Sequence, residues 1–439
     1  MKEEKSGLRR LIESLTDRGE VMLIDKRVSL RFEVAAIMKK YDGKQVLLFN
    51  NVDGHKNVVA GICGTRDRIA YALGIQPERL RSFLREALKL PEYPKVVNDY
   101  EAEKELPNLE SLPILTHFER DAGPYITSAI VSARLPDNSL ENVSIHRLMV
   151  IDRRHLAIRI VPRHLYYICK KMIEIGEKSL DVGIAIGLHP AVLIAASAPA
   201  PLGVSEYAVA NKILNKTLKL SECRTVEARV PSDSEIVLEG KILLDKEVEE
   251  GPFVDITGTY DIVRKQPVIE VEKIFCKGDF LYHALLPSGS EHGLLMGLPQ
   301  EAKIEEAVSG VVPKVKDVNL TPGGCHWLHA VVSIEKQAEG DGKNAILAAF
   351  AGHPSLKHVV IVDTDIDVSN PAEVEWAIAT RFQGSKGLVV IRNVRGSSLD
   401  ASGDQKLNLT TKVGIDATRS LLKPREKFEK ARIPIEPAV

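Results

Sequence analysis

Six polar residues in the middle of this 439-residue chain have types that could do chemistry together. An amide oxygen, an imidazole nitrogen and a carboxylate make the mixed oxygen/nitrogen set that Mn²⁺ or Mg²⁺ accepts. Asn142, His164 and Glu206 supply one of each. Three protein ligands leave coordination positions open for water or a cofactor phosphate. Arg147, which closes the run Asn-Val-Ser-Ile-His-Arg, carries the planar fork that grips a carboxylate with two prongs. Glu250 and Asp255 bracket Glu-Gly-Pro-Phe-Val-Asp. Across that Gly-Pro turn one acid could hold the arginine while the other moves a proton.

Each residue also has an ordinary reading. Asn142 suits a turn before a strand, and Arg163-His164 suits a solvated loop after the strand-like run Leu156–Val161. Glu206 follows Ser205 at the start of a helical pattern, where a first-turn acid complements the macrodipole. Glu250-Gly251-Pro252 is turn chemistry. Spacing alone brings none of these side chains together, so the elements that carry them decide the matter.

A chain of 439 residues is too long for one ordinary core, and two or three domains are expected. Hydrophobic residues at 44% and charged ones at 27% fit a well-buried globular protein. Lys plus Arg (59) nearly cancel Asp plus Glu (60). No global basic field would recruit nucleic acid or anionic lipid, so a few local cations must hold any anionic substrate. The charged, amphipathic opening from Met1 to Leu15 has no apolar stretch of a signal peptide. Nothing approaches the roughly 18 apolar residues of a membrane span; the run from Val182 to Pro201 is broken by His189 and Pro190. Cys63, Cys169, Cys223, Cys276 and Cys325 are scattered without a Cys-x-x-Cys pair. They suggest neither a disulfide framework nor a zinc site, and the expected location is the cytoplasm.

Residues 1–105 read as a small α/β domain. Leu8, Leu11, Ile12 and Leu15 repeat at helical spacing before Gly19, Val46–Phe49 is a strand, and Thr65–Leu73 is a capped helix. Proline-rich, acidic text from Tyr93-Pro94 to Leu112-Pro113 marks a domain edge. Residues 106–300 are strand-rich, with β-type runs such as Ile126–Arg134, Val182–Gly187, Val192–Ala196 and Ile236–Leu244. Helical Tyr167–Ile175 and Glu206–Leu214 interrupt them, a pattern that suggests a barrel-like core. In residues 301–439 helices alternate with apolar strands again. Val359–Val362 and Leu388–Ile391 read as buried parallel strands beside a Pro371–Phe382 helix.

Several blocks together carry a family resemblance. They are Asn142–Arg147, Ser205-Glu-Tyr-Ala208, Glu235-Ile-Val-Leu-Glu-Gly240, Glu250–Asp255 with Thr257-Gly258, Pro322-Gly-Gly-Cys325 and Lys412-Val-Gly-Ile-Asp-Ala-Thr418. In this order the text resembles the UbiD family of prenylated-FMN-dependent decarboxylases, over nearly the whole chain. The resemblance implies an α+β multidomain fold: an N-terminal α/β domain, a central FMN-binding split β-barrel and a C-terminal α/β domain that aids homo-oligomerisation into a dimer or hexamer. It implies prenylated FMN supplied by a flavin prenyltransferase partner, with Mn²⁺, often with K⁺, tethering the cofactor phosphate. On this chain Asn142, His164 and Glu206 match the metal ligands. Ser144, Ile145, Arg147 and Arg163 match cofactor-contacting segments, and Lys412 matches a phosphate-side lysine. Arg147, Glu250 and Asp255 match the catalytic network: Arg147 would orient the substrate carboxylate, Glu250 would pair with it, and Asp255 would protonate the carbon that loses CO₂.

The chain departs from the family pattern at four places, one being Asp255 where Glu is the alternative, a substitution also found in the family. Val254 stands where many relatives have Gly, and His146 where Tyr is common. His146 either packs outward or offers a cation or donor to a polar substrate. The chain also ends at Val439 without the long tail of some relatives. Compact relatives of this kind imply a phosphorylated α,β-unsaturated acid of the modified mevalonate pathway as substrate. The alternatives are a polyprenyl 4-hydroxybenzoate of quinone synthesis, a flavin-binding protein without turnover, and a metal hydrolase using His164 and Glu206. Cys325-His326-Trp327 with His329 has no common metal spacing and reads as strand-edge core. The alternating Asp363, Asp365 and Asp367 lack the glycine and glutamate of a calcium loop and read as strand-end solvation or subunit contact.

Overall fold

The computed structural model describes residues 7–404, 406–431 and 433. The first six residues of the charged opening and the last residues up to Val439 lie outside them. The chain forms two compact units, Met1–Pro299 and Gln300–Val439. The division falls inside the helix Ser290–Ser309, at Pro299, where a proline removes a helical N–H bond.

The first unit opens on the amphipathic helix Leu8–Asp17, which buries Leu8, Leu11, Ile12 and Leu15, the expected stripe. Gly19 follows in the left-handed region at φ 71°. A four-stranded sheet runs Val21–Ile24, Val46–Phe49, Val58–Ala60, Tyr282–His283 in spatial order. The helix Arg66–Leu73 is capped as its sequence predicts: the Thr65 side chain accepts the Arg68 N–H.

The nine-stranded sheet of this unit positions the site. Its path begins at Tyr125–Ile126, passes through the long strands Arg264–Cys276 and Ile236–Glu250, and ends at Ile130–Arg134 and Glu141–Ile145. All pairings along it are antiparallel. Its two end strands do not pair with each other among the described residues, so the sheet is mixed-domain β structure without a closed barrel. Core residues such as Val131, Leu156, Ile184, Leu238 and Ile269 fill one buried cluster with the four-stranded sheet. The run Val192–Ala196 is not a strand; it lies in the helix Pro190–Ser197. A wholly buried helix is apolar all round and shows no period to read. Pro190 at its first turn and the His189 cap were the available signals.

The second unit is a five-stranded sheet in the order Val315–Leu320, His329–Ile334, His358–Asp363, Leu409–Asp416, Leu388–Arg395. His358–Asp363 is a buried strand with parallel neighbours on both sides, as expected. Leu388–Arg395 is instead an antiparallel edge strand with Leu388 and Val390 exposed. Among the described residues no helix is long and apolar enough to cross a membrane.

Candidate active site

The strand Glu141–Ile145 alternates its faces, and Asn142, Ser144 and the following His146 line up on one of them. Opposite stands Glu206, first residue of the helix Glu206–Ile213, whose start is capped by the Ser205 hydroxyl. Glu206 Oε2 accepts the Val143 N–H at 2.7 Å, and its Oε1 lies 3.1 Å from Asn142 Nδ2. His164 opens the helix His164–Glu174, with Arg163 at its cap position, and brings Nδ1 to 3.8 Å from the same Oε1. The three predicted metal ligands therefore converge on one carboxylate oxygen. Burial pushes the Glu206 pKa up, against the hydrogen bonds of His164 and the backbone.

A chain of hydrogen bonds runs from this trio towards Arg147. His146 Nδ1 faces the Arg159 carbonyl at 2.9 Å, and its Nε2 lies 2.9 Å from Ser144 Oγ. A carbonyl only accepts, so Nδ1 carries the proton and Nε2 must accept from Ser144. His146 is thus neither outward-packed nor a cation for substrate. It is buried, its pKa pushed down to about 4 by desolvation, and it splints two parts of the site. Ser144 has one proton, yet its oxygen also sits 3.0 Å from Asn142 Oδ1. The hydroxyl therefore serves one acceptor at a time, His146 Nε2 or Asn142 Oδ1, while Asn142 Nδ2 donates to Glu206 Oε1 at 3.1 Å.

Arg147 stands at the centre of a carboxylate cluster. Its Nε and Nη2 grip Glu250 at 2.9 and 2.8 Å, Nη1 reaches Asp255 at 3.0 Å, and Nη2 also reaches Asp261 at 3.1 Å. Burial opposes its charge, but Glu250 first, then Asp255 and Asp261, hold the guanidinium pKa above its ordinary value. Tyr125 donates to Glu250 at 3.2 Å, and the guanidinium sits over the Phe253 ring. Of five N–H donors, four are spent, which among the described residues leaves one on Nη1. That N–H lies next to Asp255, the most open carboxylate of the cluster, with 19% of its side chain exposed against 0% for Glu250 and 5% for Asp261. The turn itself is tight: Gly251 takes φ 96°, which glycine permits. Val254 fits because it lies in a short strand, Phe253–Val254, with its side chain buried.

The remaining expected site residues are placed less tellingly. Ile145 follows Ser144 on the alternate face of its strand and is half-buried. Lys412 lies in the second unit, where Nζ donates to the Pro354 carbonyl and desolvation lowers its pKa to about 8. Several partners of the cluster were not foreseen. Asp261 lies on the strand Tyr260–Asp261, which pairs with Phe253–Val254. His292 shares an electrostatic environment with Asp255 and Arg147, and burial lowers its pKa. The only available signal for Asp261 was its closeness to the Thr-Gly-Thr-Tyr turn. His292 gave none. Glu235 and Glu239 of the resemblance block prove structural: Glu235 clamps Arg9 through two hydrogen bonds, and Glu239 accepts from Tyr100, Arg224 and Thr225. Among the described residues no group of three His, Cys, Asp or Glu could hold a metal, the Cys325–His329 text included.

A family model described as the UbiD 3-octaprenyl-4-hydroxybenzoate carboxy-lyase Rift-related domain matches residues 91–290, its C-terminal counterpart 293–417 and its N-terminal counterpart 12–88. A protein of Methanothermobacter thermautotrophicus named anhydromevalonate phosphate decarboxylase is 47% identical over 94% of this chain and 96% of its own length. One of the same name from Methanocaldococcus jannaschii is 48% identical over 94% and 97%. Among solved structures, the UbiD-class enzyme HmfF from Pelotomaculum thermopropionicum in complex with FMN superposes with a TM-score of 0.94 at 41% identity, covering 98% of this chain and 97% of that one.

Proposed function

The chain belongs to the UbiD family of carboxy-lyases, and we propose that it removes CO₂ from trans-anhydromevalonate 5-phosphate to give isopentenyl phosphate. The observation that carries the chemistry is the arginine clasp. Arg147 is held from behind by Glu250 and offers its last N–H beside Asp255. A substrate carboxylate placed there is oriented by Arg147 for loss of CO₂. The C–C bond breaks, and Asp255 in its acid form delivers the proton that completes the new C–H bond. Asp255 recovers its proton from water at the exposed edge. Prenylated FMN, when bound, takes up the electron density left on the carbon. A flavin carrier without turnover would not need this clasp. High identity to anhydromevalonate phosphate decarboxylases favours the phosphorylated acid over a polyprenyl aromatic one.

Cofactor and metal follow from the same reading. The Asn142 amide and the His164 imidazole each bring a polar atom within 4 Å of Glu206 Oε1, and this mixed oxygen/nitrogen set would suit Mn²⁺. K⁺ would be an accompanying ion. The cofactor phosphate would take the metal's open positions, with Ser144, Ile145 and Arg163 as further contacts. The antiparallel sheet would serve as a split barrel for FMN, in a chain organised as N-terminal, central and C-terminal domains. A flavin prenyltransferase would supply the cofactor, and exposed Leu388 and Val390 would support homo-oligomers.

The experiment is co-expression with a flavin prenyltransferase, mass spectrometry of the bound flavin, and product analysis with trans-anhydromevalonate 5-phosphate. We expect prenylated FMN and isopentenyl phosphate. Glu250→Gln and Arg147→Ala should keep flavin and lose turnover. Full activity in both would remove the proposed roles.

A further inference from the structure

Arg159 takes no part in the clasp, yet its surroundings ask for an anion. It stands directly across an antiparallel ladder from Arg147: Ile158 pairs with Leu148, and the Arg159 N–H donates to the Arg147 carbonyl at 3.3 Å. Side chains so opposed lie about 5 Å apart at Cβ, and like charges there repel. Burial sharpens this, for only 8% of the Arg147 side chain and 15% of the Arg159 side chain are exposed. One oxygen answers both: Asp261 Oδ2 lies 3.1 Å from Arg147 Nη2 and 3.8 Å from Arg159 Nε, the second too far for a hydrogen bond. Asp261 Oδ1 is already taken by Arg264 Nη1 at 2.5 Å and by the Ile262 N–H. Three guanidinium groups thus crowd one carboxylate. Among the described residues the only side-chain hydrogen bond of Arg159 is a long one, 3.4 Å to the Ile160 carbonyl. Burial first, then the charge of Arg264, lowers its pKa from the ordinary guanidinium value. A buried charge is costly until paired.

We infer that Arg159 and Arg264 form an anion subsite, distinct from the carboxylate grip of Arg147, that holds the phosphate of the substrate. The identity of that phosphate rests on the function proposed above, whereas the subsite rests on the crowding around Asp261. Two arginines facing each other across one rung would set two anions of one small molecule side by side, carboxylate on Arg147 and phosphate on Arg159. The flavin phosphate is the other source of the same chemistry, and the test separates the two.

Holoenzyme is compared with Arg159→Gln and Arg264→Gln variants. Turnover of trans-anhydromevalonate 5-phosphate and of its unphosphorylated acid is measured, with flavin content, melting temperature and calorimetric binding of inorganic phosphate. Losing one charge-assisted contact to phosphate should raise KM for the phosphorylated acid about 30-fold in Arg159→Gln, with the effect on KM rather than kcat. The preference for the phosphorylated acid should fall by the same factor, and inorganic phosphate should no longer bind. In Arg159→Gln flavin content should hold and the melting temperature should not fall, since a like-charge neighbour has gone; Arg264→Gln also gives up its pair with Asp261 and should show the same fall in preference between the two acids. An unchanged KM, equal losses on both acids, or loss of flavin in place of affinity would each overturn the inference. Wild-type enzyme that fails to turn over the phosphorylated acid would sink the proposed function, and phosphate calorimetry on wild type and Arg159→Gln would still decide the subsite.

Discussion

Two arginines of this chain are enclosed by carboxylates in nearly the same way, and only one of them lies in the proposed active site. Arg147 meets Glu250, Asp255 and Asp261; Arg381 meets Asp363 and Asp365 at 2.6–2.9 Å and the Phe428 carbonyl at 3.1 Å. Each spends four N–H groups and keeps one. The spare N–H of Arg381 is Nε, buried and without a hydrogen-bond partner among the described residues, in a side chain that is 0% exposed. The spare N–H of Arg147 is on Nη1, beside Asp255. The acids themselves do not make the difference, since Asp365 is 43% exposed and Asp255 only 19%. A donor shut in by its own cluster can only hold the fold together, whereas one beside a partly exposed acid can meet a ligand. What separates structure from function here is where the unspent donor points, not the number of ion pairs.

The sharpest way to break the comparison is to change one charged residue in each cluster. Asp255→Asn keeps an acceptor for Arg147 and removes the proton donor. Turnover should fall by about 10³-fold, within the range general acids supply, while flavin absorbance and melting temperature stay near wild type. Retention of even a tenth of wild-type turnover in single-turnover assays would show that Asp255 is not the acid.

The converse change comes next in size. Arg381→Ala strands Asp363, which lies buried and also accepts the Arg419 N–H. Breaking a buried pair by removing one partner costs about 3–5 kcal/mol, so denaturant titration should show a large loss of stability. Turnover per folded, flavin-loaded molecule should not change. A purely kinetic defect with normal stability would mean that Arg381 is not the closed structural group described here.

Much of the active cluster could be read from the sequence, because Arg147, Glu250 and Asp255 sit in short blocks whose order resembles a family. The same blocks mark Asn142 and Glu206, while His164 stands outside them, in the Arg163-His164 pair after the run Leu156–Val161; the fold brings all three to one oxygen. Asp261 and Arg159 were not legible. They act through register, one by strand pairing with Phe253–Val254 and the other by facing Arg147 across a ladder, and no local pattern encodes a cross-strand partner. His146 was misread because its role depends on the Arg159 carbonyl, thirteen residues away. Asp363 and Asp365 read as strand-end solvation or subunit contact, and Asp365 is indeed exposed. Arg381 on the helix Pro371–Arg381 buries the first and pairs with both. Fold class was legible where period and length agree. It failed for Pro190–Ser197, where burial on all sides erases the period.

Acid should sharpen the contrast further. Close to Arg147 lie buried neutral imidazoles, His146 with a pKa of about 4 and His117, whose burial pushes it to about 3. A folded-state pKa below the ordinary 6.5 means that the unfolded chain binds more protons between these values, so stability rises with pH there. Acidification from about pH 6.5 to pH 4 should therefore remove stability from the first unit, up to about 3 kcal/mol from His146 alone. Hydrogen exchange followed by mass spectrometry should show the sheet around Arg147 opening over this window, and His146→Gln should flatten the slope. An unchanged slope in that variant would mean that His146 is not held neutral by the fold.

The smallest effect is the finest test of the alternating acids. Asp367 is exposed and accepts the Ser369 N–H and hydroxyl at 2.8 and 2.6 Å. These bonds, hydroxyl first, hold its pKa below the usual carboxylate range. A depressed carboxylate contributes stability that is present above its unfolded pKa and lost as pH falls through the folded one. Asp367→Asn keeps one acceptor in place, so its cost near neutrality should stay within about 0.5 kcal/mol, with a slightly shallower acid limb below pH 4. Asp363→Asn, two turns of the alternation earlier, replaces a buried charge that faces Arg381 and should cost several times more. Equal costs at the two positions would mean that enclosure by Arg381 contributes nothing, and that reach towards solvent does not distinguish the closed cluster from an ordinary strand end.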